Sequence, residues 1–152
     1  MIEDISKQIE DMIKPVADLG EMLPKSAKDI EVRIKEGKGF YIQQDGFVVA
    51  FAALYEWPRY LEIGSVITRK EYRGKGFAKK VIKLTIETAK GIGGKPIIAL
   101  TNKKSTKLFE SLGFRYQDKT VEGKVFWEPC KKTCVDYGRW PDCHCHFMQF
   151  DK

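Results

Sequence analysis

A strand, a glycine-containing turn and a buried helix follow one another in the middle of the chain, and this order restricts the fold more than any other feature of the sequence. Leu61–Thr68 is rich in β-branched and apolar residues, which predicts a strand that is buried on most sides. The polar residues 69–76 predict a turn, and the apolar residues after Phe77 recur at helical spacing over more than one face. The first N–H groups of a helix have no partner within it and lie at the positive end of its dipole, so this unit predicts an anion-binding turn.

Gly74 and Gly76 lie within the turn. Because glycine has no Cβ, the backbone at these positions can approach a phosphate closely. Residues 73–76 alone are equally compatible with a basic turn that only connects a strand to a helix. Two nucleotide-binding patterns are excluded, because the chain contains neither Gly-x-x-x-x-Gly-Lys-Ser/Thr nor Gly-x-Gly-x-x-Gly.

The wider spacing around the turn is more specific than the turn itself. Arg73-x-x-Gly76-x-Ala78, placed between a strand and a helix, resembles the pyrophosphate-binding motif of the GNAT superfamily of N-acetyltransferases. The run 102–114 starts with an asparagine, continues into a short predicted helix and ends in Leu-Gly-Phe, and it is similar to the second signature of that family. The resemblance extends over residues 1–127, with its specific part between residues 60 and 114.

This resemblance implies an α/β fold, with a GNAT-like mixed central sheet flanked by helices and a short cysteine-rich C-terminal extension. It also implies an acetyl-CoA-dependent N-acetyltransferase, in which the turn cradles the pyrophosphate and the strand backbone pairs with the pantetheine arm as if with an added strand. The cofactor-binding residues implied for acetyl-CoA are Val66, Ile67, Thr68, Arg73, Gly74, Lys75, Gly76, Phe77, Ala78, Asn102, Ser105, Lys107 and Phe109.

Glu62 is the candidate catalytic base. It is the only acidic residue within the predicted central strand, where a carboxylate is costly unless it serves a purpose or reaches water. The resemblance implies that such a glutamate draws a proton from the amine, usually through water. The alternative is a carboxylate at a strand end that faces solvent or pairs with Arg59.

Phe109 departs from the family pattern, because many members carry a tyrosine at this position. A phenylalanine cannot protonate the leaving thiolate, so solvent or another group must do so. The missing hydroxyl also keeps open a second function, a non-catalytic CoA-binding sensor with a metal- or redox-responsive tail.

The acceptor is expected to be a small-molecule amine. Residues 23–26 (Leu-Pro-Lys-Ser) and the strand end 99–101 resemble the amino-acid acetyltransferase branch that includes N-acetylglutamate synthase domains. That branch acetylates an α-amine beside a carboxylate, so cations are required, and Lys25, Arg33 and Arg59 are the candidates. A protein or polyamine acceptor is the alternative, although a polyamine would need more acidic residues than these loops contain.

The remaining elements are predicted from periodicity and turn signals. Residues 2–16 form an amphipathic helix, and Ser26 begins a second helix that ends before Gly37. Asp45-Gly46 predicts a hairpin between residues 40–44 and 47–57. Ile97–Thr101 predicts a strand parallel to the central one. Residues 105–112 predict a helix, and residues 115–119 and 124–128 predict a closing hairpin.

The segment after Pro129 differs in character, so we divide the chain into a GNAT domain at 1–128 and a Cys/His-rich extension at 129–152. Asp136, Gly138, Pro141 and Asp142 make regular structure there unexpected. The extension holds every cysteine of the chain, and three states are open for them: a zinc site in which a histidine can replace one sulfur, disulfides, or reduced thiols. The candidate metal ligands are Cys130, Cys134, Cys143 and Cys145.

Composition restricts the remaining classes. A chain of 152 residues with 43% hydrophobic residues has room for one domain with a core. Its net charge of +6 is scattered without a block of five like charges, so we expect no nucleic-acid partner. No apolar run is long enough to span a bilayer, and the acidic residues near the N-terminus predict no secretory signal peptide. A cytoplasmic location is therefore expected, and a homodimer stays open.

Overall fold

A six-stranded mixed sheet forms the centre of the fold. The computed structural model describes residues 1–118, 120, 127, 139–140, 143 and 145–151. Their elements are α1 (Ile2–Asp18), α2 (Ala27–Lys35), β1 (Gly39–Gln44), β2 (Phe47–Glu56), β3 (Leu61–Thr68), a 3-10 turn (Lys70–Tyr72), α3 (Phe77–Ile92), β4 (Ile97–Thr101), α4 (Thr106–Ser111), β5 (Phe114–Gln117) and β6 (His146–Phe150). The strand order is β1-β2-β3-β4-β6-β5.

Helices cover both faces of this sheet. Side chains alternate between the two faces of β2, so this strand contacts helices on each side. Phe51 packs with Ile13 of α1 and Ile30 of α2, whereas Leu54 packs with Ile82 of α3. Phe109 of α4 joins the same side as α3. The predicted α/β fold with a mixed sheet flanked by helices is thus confirmed. Among the described helices, none is both long and apolar enough to cross a membrane.

Local sequence signals place the first elements as predicted. Asp45 and Gly46 have φ angles of 54° and 84°, the positive values that a two-residue hairpin turn requires between β1 and β2. The Ser26 hydroxyl accepts a hydrogen bond from the Asp29 N–H at 3.1 Å and caps α2. Both predictions are confirmed, and α2 ends at Lys35, one turn before β1 begins.

The parallel pair β3–β4 confirms the predicted direction of β4 but is short. Its strands pair only at Leu61↔Ile97 and Glu62↔Ile98, and beyond these residues their carboxyl-terminal halves separate. β4 is then bonded on its other side by β6, through the run from Ile98↔Gln149 to Thr101↔His146. The separation opens the sheet at the end that faces the turn before α3.

The prediction that regular structure is absent after Pro129 is wrong for β6. His146–Phe150 lies between β4 and β5 and pairs antiparallel with both. Phe147 and Met148 are buried, so this strand belongs to the core. The physical reason is that two strand edges, distant in sequence, need a partner for their backbone groups, which the local pattern of the tail does not reveal.

The rest of the predicted closing hairpin falls largely outside the described residues. β5 confirms its first arm, and its described partner is β6. Of the second arm, 124–128, only Trp127 is described. The proposed domain boundary between residues 128 and 129 also lies outside the described residues and stays a prediction.

Candidate active site

A bulge in β3 turns the chain at the point where the sheet opens. Ala53 pairs with Gly64 and Phe51 pairs with Ile67, so Ser65 and Val66 together lie opposite Ala52. Ser65 has a φ angle of 53°, which is uncommon for a residue other than glycine. Such a backbone costs on the order of 1–3 kcal/mol and is found preferentially at functional sites. The bulge directs the edge of β3 towards the gap between β3 and β4.

A cavity of about 580 Å³ fills that gap and extends to the turn before α3. Its walls contain most of the residues that the sequence predicts for the cofactor. These are Val66, Ile67, Thr68, Arg73, Gly74, Gly76, Phe77, Ala78, Asn102, Ser105 and Phe109. Strand, turn and the helix α4 thus contribute to one cavity, which we call the donor cavity.

The turn at the mouth of the donor cavity has the geometry of an anion site. Gly74 and Gly76 have φ angles of 76° and 87°, and apart from each glycine and its two chain neighbours no heavy atom lies within 4 Å of the position that a Cβ would take. Gly76 is the N-cap of α3, whose first N–H groups have no partner within the helix. Arg73 and Lys79 line the same cavity and add positive charge. The turn therefore offers an open backbone, a helix dipole and two cations to a phosphate.

A second cavity, of about 430 Å³, lies on the other side of the bulge, and we call it the acceptor cavity. Glu62 lines it and accepts a hydrogen bond of 2.8 Å from the Trp57 Nε1–H. Burial raises the pKa of the Glu62 carboxyl, while the bond from Trp57 and the charge of Lys25 oppose this shift in part. A carboxylate with a raised pKa in a cavity is suited to accept a proton near neutral pH.

Two cations in the acceptor cavity face the ring of Tyr55. The Lys25 Nζ lies 4.5 Å from the ring centroid and the Arg33 Cζ lies 4.9 Å from it. An Arg33 guanidinium N–H also donates to the Leu54 carbonyl oxygen at 3.1 Å. Within the described part of the chain neither cation forms an ion pair. Both are therefore available to an anionic group of a ligand.

The donor and acceptor cavities meet. Six residues line both of them: Glu21, Met22, Gly64, Ser65, Leu100 and Cys145. The two cavities are therefore adjacent, so molecules bound in each of them would lie close together. Closeness of this kind is what the transfer of a group between two bound molecules requires.

Comparison with known proteins identifies the family of this chain. The model of the acetyltransferase (GNAT) family matches residues 7–114. The chain belongs to the GNAT family. The amino-acid acetyltransferases of Pseudomonas aeruginosa strain PAO1 and of Pseudomonas paraeruginosa are 28% identical over 116 residues, which is 75% of this chain and 26% of theirs. The chain thus spans about a quarter of the length of these relatives.

Solved structures share the GNAT fold of this chain. N-acetylglutamate synthase from Neisseria gonorrhoeae, complexed with coenzyme A and N-acetyl-glutamate, superposes with a TM-score of 0.72 at 19% identity, over 96% of this chain and 33% of that one. A Mycobacterium tuberculosis protein in complex with CoA gives a TM-score of 0.72 at 18% identity, over 99% of this chain and 95% of that one.

Asn102 has a structural role in this GNAT domain. Its side-chain amide donates to the Glu21 carbonyl oxygen at 3.1 Å, and its Oδ1 accepts from the Lys104 N–H at 2.9 Å. The Lys104 Nζ also lies 2.9 Å from the Glu21 carboxylate. These contacts join the loop after α1 to the loop after β4 and close one wall of the donor cavity.

Three predicted site residues do not line the cavities. Two were predicted to bind the cofactor, and one was among the cations predicted to bind the carboxylate of the acceptor. Lys75 lies beside the ring of Tyr72, with its Nζ 5.3 Å from the centroid, and Lys107 is exposed on α4. Arg59 lies over Tyr60 at 6.0 Å. Contact of these three side chains with a ligand stays a prediction.

The sequence missed Ser65 and Tyr55, and it predicted Cys145 only as a metal ligand; the structure places all three in the walls of one or both cavities. A serine or tyrosine in a strand carries no signal of a site, and Cys145 reaches the cavities only because β6 enters the sheet. Of the predicted metal ligands, Cys130 and Cys134 lie outside the described residues, and Cys143 and Cys145 are partly buried. Among the described residues, no group of three or more His, Cys, Asp or Glu is placed to hold a metal ion.

Proposed function

We propose that this GNAT domain transfers an acetyl group from acetyl-CoA to the primary amine of a small molecule that also carries a carboxylate. The observation that carries this proposal is the meeting of the donor cavity, with its anion-binding turn, and the acceptor cavity, with Glu62, at the bulge of β3. The names of the relatives, which are amino-acid acetyltransferases, support the same class of acceptor.

The donor cavity fits acetyl-CoA. The turn at Gly74 and Gly76 is open where a Cβ would obstruct a pyrophosphate, and Arg73 lies beside it. Val66, Thr68 and the separated edge of β3 offer backbone groups to an extended arm. Bound there, acetyl-CoA supplies an activated thioester.

The acceptor cavity supplies a base, Glu62, and two cations, Lys25 and Arg33, which we call the carboxylate clamp. Glu62 would remove the proton of the attacking amine, directly or through water, because its raised pKa makes the carboxylate a stronger base than an ordinary glutamate. Lys25 and Arg33 would hold the carboxylate of the acceptor through charge-assisted hydrogen bonds. The clamp would orient the amine towards Gly64 and Ser65, where the two cavities join.

The test is acetyl-CoA turnover against an amine panel. The panel contains α-amino acids with one and two carboxylates, their amides, spermidine and a lysine peptide. We expect turnover with carboxylate-bearing amines and little with amides or spermidine. Turnover with spermidine or the peptide alone would contradict the proposed acceptor. The alternative of a CoA sensor without turnover is not favoured, because a sensor of CoA alone would not need Glu62 and two cations in a second cavity.

The clamp makes a separate prediction. Lys25→Ala and Arg33→Ala should each raise the KM for the carboxylate acceptor about tenfold or more, since a hydrogen bond to a charged group contributes about 1.5–3 kcal/mol. The KM for acetyl-CoA should change little. Lys28→Ala removes the same charge from an exposed site on α2 and is the matched control. An acceptor KM that moves equally in all three variants would rule out a clamp.

Zinc binding stays a separate prediction. If Cys130, Cys134, Cys143 and Cys145 ligate zinc, the purified protein should contain about one equivalent of metal per chain, because ligation by thiolates is strong. Elemental analysis measures this. Metal-free protein with four reactive thiols would contradict the zinc site, and two oxidised pairs would indicate disulfides. The cytoplasmic location and a homodimer also stay predictions.

A further inference from the structure

The proposed reaction needs a route that brings a proton to the departing sulfur. Phe109, which lines the donor cavity, has no proton to give, and it packs edge to face on Phe114 at 5.1 Å. The polar side chains that line both cavities in the described part of the chain belong to Glu21, Ser65 and Cys145. The Glu21 carboxylate forms an ion pair with the Lys104 Nζ at 2.9 Å. Ser65 is the hydroxyl at the junction.

Ser65 is joined to a second hydroxyl. Its Oγ lies 2.6 Å from the Tyr55 Oη, a short hydrogen bond between partly buried groups. The bulge that gives Ser65 its φ angle of 53° also places it opposite β2, on which Tyr55 lies. Side-chain packing does not require this strained backbone. Its effect is to place the Ser65 hydroxyl between the two cavities, which favours a functional role for that hydroxyl.

Tyr55 in turn lies beside Glu62. The two residues are cross-strand partners, and the space above Gly64 brings their side chains together. A Cβ at Gly64 would lie 3.0 Å from Glu62 Oε2 and 3.1 Å from Tyr55 Cε2. The carboxylate of Glu62 and the ring of Tyr55 therefore border the same space above Gly64. Burial raises the pKa of the Tyr55 phenol, and the negative charge of Glu62 contributes to this rise, so the phenol keeps its proton at neutral pH and can pass one on.

We propose that the proton removed from the amine returns to the leaving sulfur through Glu62, Tyr55 and Ser65, an inference that rests on the proposed function. The amine nitrogen forms the new bond to the thioester carbon, and its proton goes to the Glu62 carboxylate. The C–S bond breaks, and sulfur leaves with the electron pair. The Ser65 hydroxyl gives its proton to sulfur, Tyr55 replaces it, and protonated Glu62 replaces the proton of Tyr55 through water. Every residue ends as it began, and the product is a thiol.

Ser65 is the catalytic residue in this route, and Tyr55 acts through it. Tyr55→Phe keeps the ring that Lys25 and Arg33 contact but removes the hydroxyl. Ser65→Ala removes the other hydroxyl, and Ser65→Gly does so while relieving the positive φ angle, so one of the two should fold normally. Each variant should lower kcat about tenfold or more, with little change in the KM for acetyl-CoA or in CoA affinity.

The decisive measurement is the double variant Tyr55→Phe with Ser65→Gly. If both hydroxyls belong to one route, the losses of kcat caused by the two substitutions should not add. The kcat of the double variant should therefore lie within about twofold of the kcat of the less active single variant. The solvent deuterium isotope effect on kcat should fall towards unity in all of them. Tyr116→Phe, which removes a phenol hydroxyl from the exposed face of β5, is the matched control.

The outcomes separate the two proposals. Wild-type protein that binds CoA but acetylates no amine would overturn the proposed function, and the route with it. Wild-type turnover with full kcat in both single variants would overturn the route alone. Additive losses in the double variant would show two separate structural effects and would also overturn it. A loss of kcat in Cys145→Ala with none in Ser65→Gly would assign the proton to the thiol instead.

Discussion

Gly76→Asp is expected to lower the affinity for CoA by at least about 2 kcal/mol, roughly thirtyfold, the scale of a lost hydrogen bond to a charged group. Gly76 caps α3 beside the donor cavity with a φ angle of 87°, and the space a Cβ would enter is open. The aspartate places a side chain and a negative charge where the turn would hold a pyrophosphate. Isothermal titration calorimetry with CoA measures the effect.

A matched control separates charge from backbone strain. Gly76→Asn has nearly the same shape and tolerates a positive φ angle similarly, but it adds no charge. We expect Asn to weaken CoA binding less than Asp, and both variants to retain the fold, because Gly76 is exposed. Unchanged CoA affinity in Gly76→Asp would show that the turn is not the pyrophosphate site. Equal losses in both variants would assign the effect to the backbone.

Glu62→Gln is expected to lower kcat on the order of a hundredfold or more, because it keeps the shape and removes the base. The KM for acetyl-CoA should change little, since Glu62 lines the acceptor cavity and not the donor cavity. Gln can still accept the hydrogen bond from Trp57. Glu87→Gln, an exposed change on α3, is the control. A variant with full activity would leave Glu62 as a structural residue.

The pH dependence gives a second measurement of the same group. The base acts as a carboxylate, and its pKa is raised, so kcat/KM should fall as the pH decreases through a value above the ordinary range of glutamate. Glu62→Gln should lose this limb of the profile. The raised pKa also means that the contribution of protonated Glu62 to the free energy of unfolding is fully present below its unfolded pKa and is lost as pH rises through the folded pKa. At neutral pH the variant should therefore have a Tm no lower than the wild type.

Much of the donor side of the site was predictable from the sequence. The helix start after Gly76, the glycines of the turn and the Asp45-Gly46 hairpin depend on neighbours within a few residues, so local sequence determines them. Arg73 and the predicted strand residues adjoin this turn in the sequence, and the structure places them in the wall of the donor cavity. Glu62 was recognisable because a carboxylate in an apolar strand needs an explanation.

The acceptor side depended on contacts that are distant in sequence. Lys25 and Arg33 come from the region of α2, Tyr55 from β2 and Glu62 from β3, and only the packing of α2 against the sheet brings them into one cavity. The sequence named Lys25, Arg33 and Arg59 as candidate cations, but only the fold shows that the first two share a cavity and that Arg59 does not line it. The Tyr55–Ser65 contact likewise needs the bulge, which is a property of two paired strands.

The sequence by itself determined the local units: the strand–turn–helix around Gly76, the hairpin, the capped helix α2 and the GNAT family. Tertiary structure alone decided that β3 and β4 separate after two residue pairs, that β6 is inserted between β4 and β5, and that Cys145 reaches both cavities. Turns and helix ends are determined by preferences that act over a few residues. Strand order depends instead on which strand edges, distant in sequence, can form backbone hydrogen bonds with each other and also bury side chains such as Phe147 and Met148.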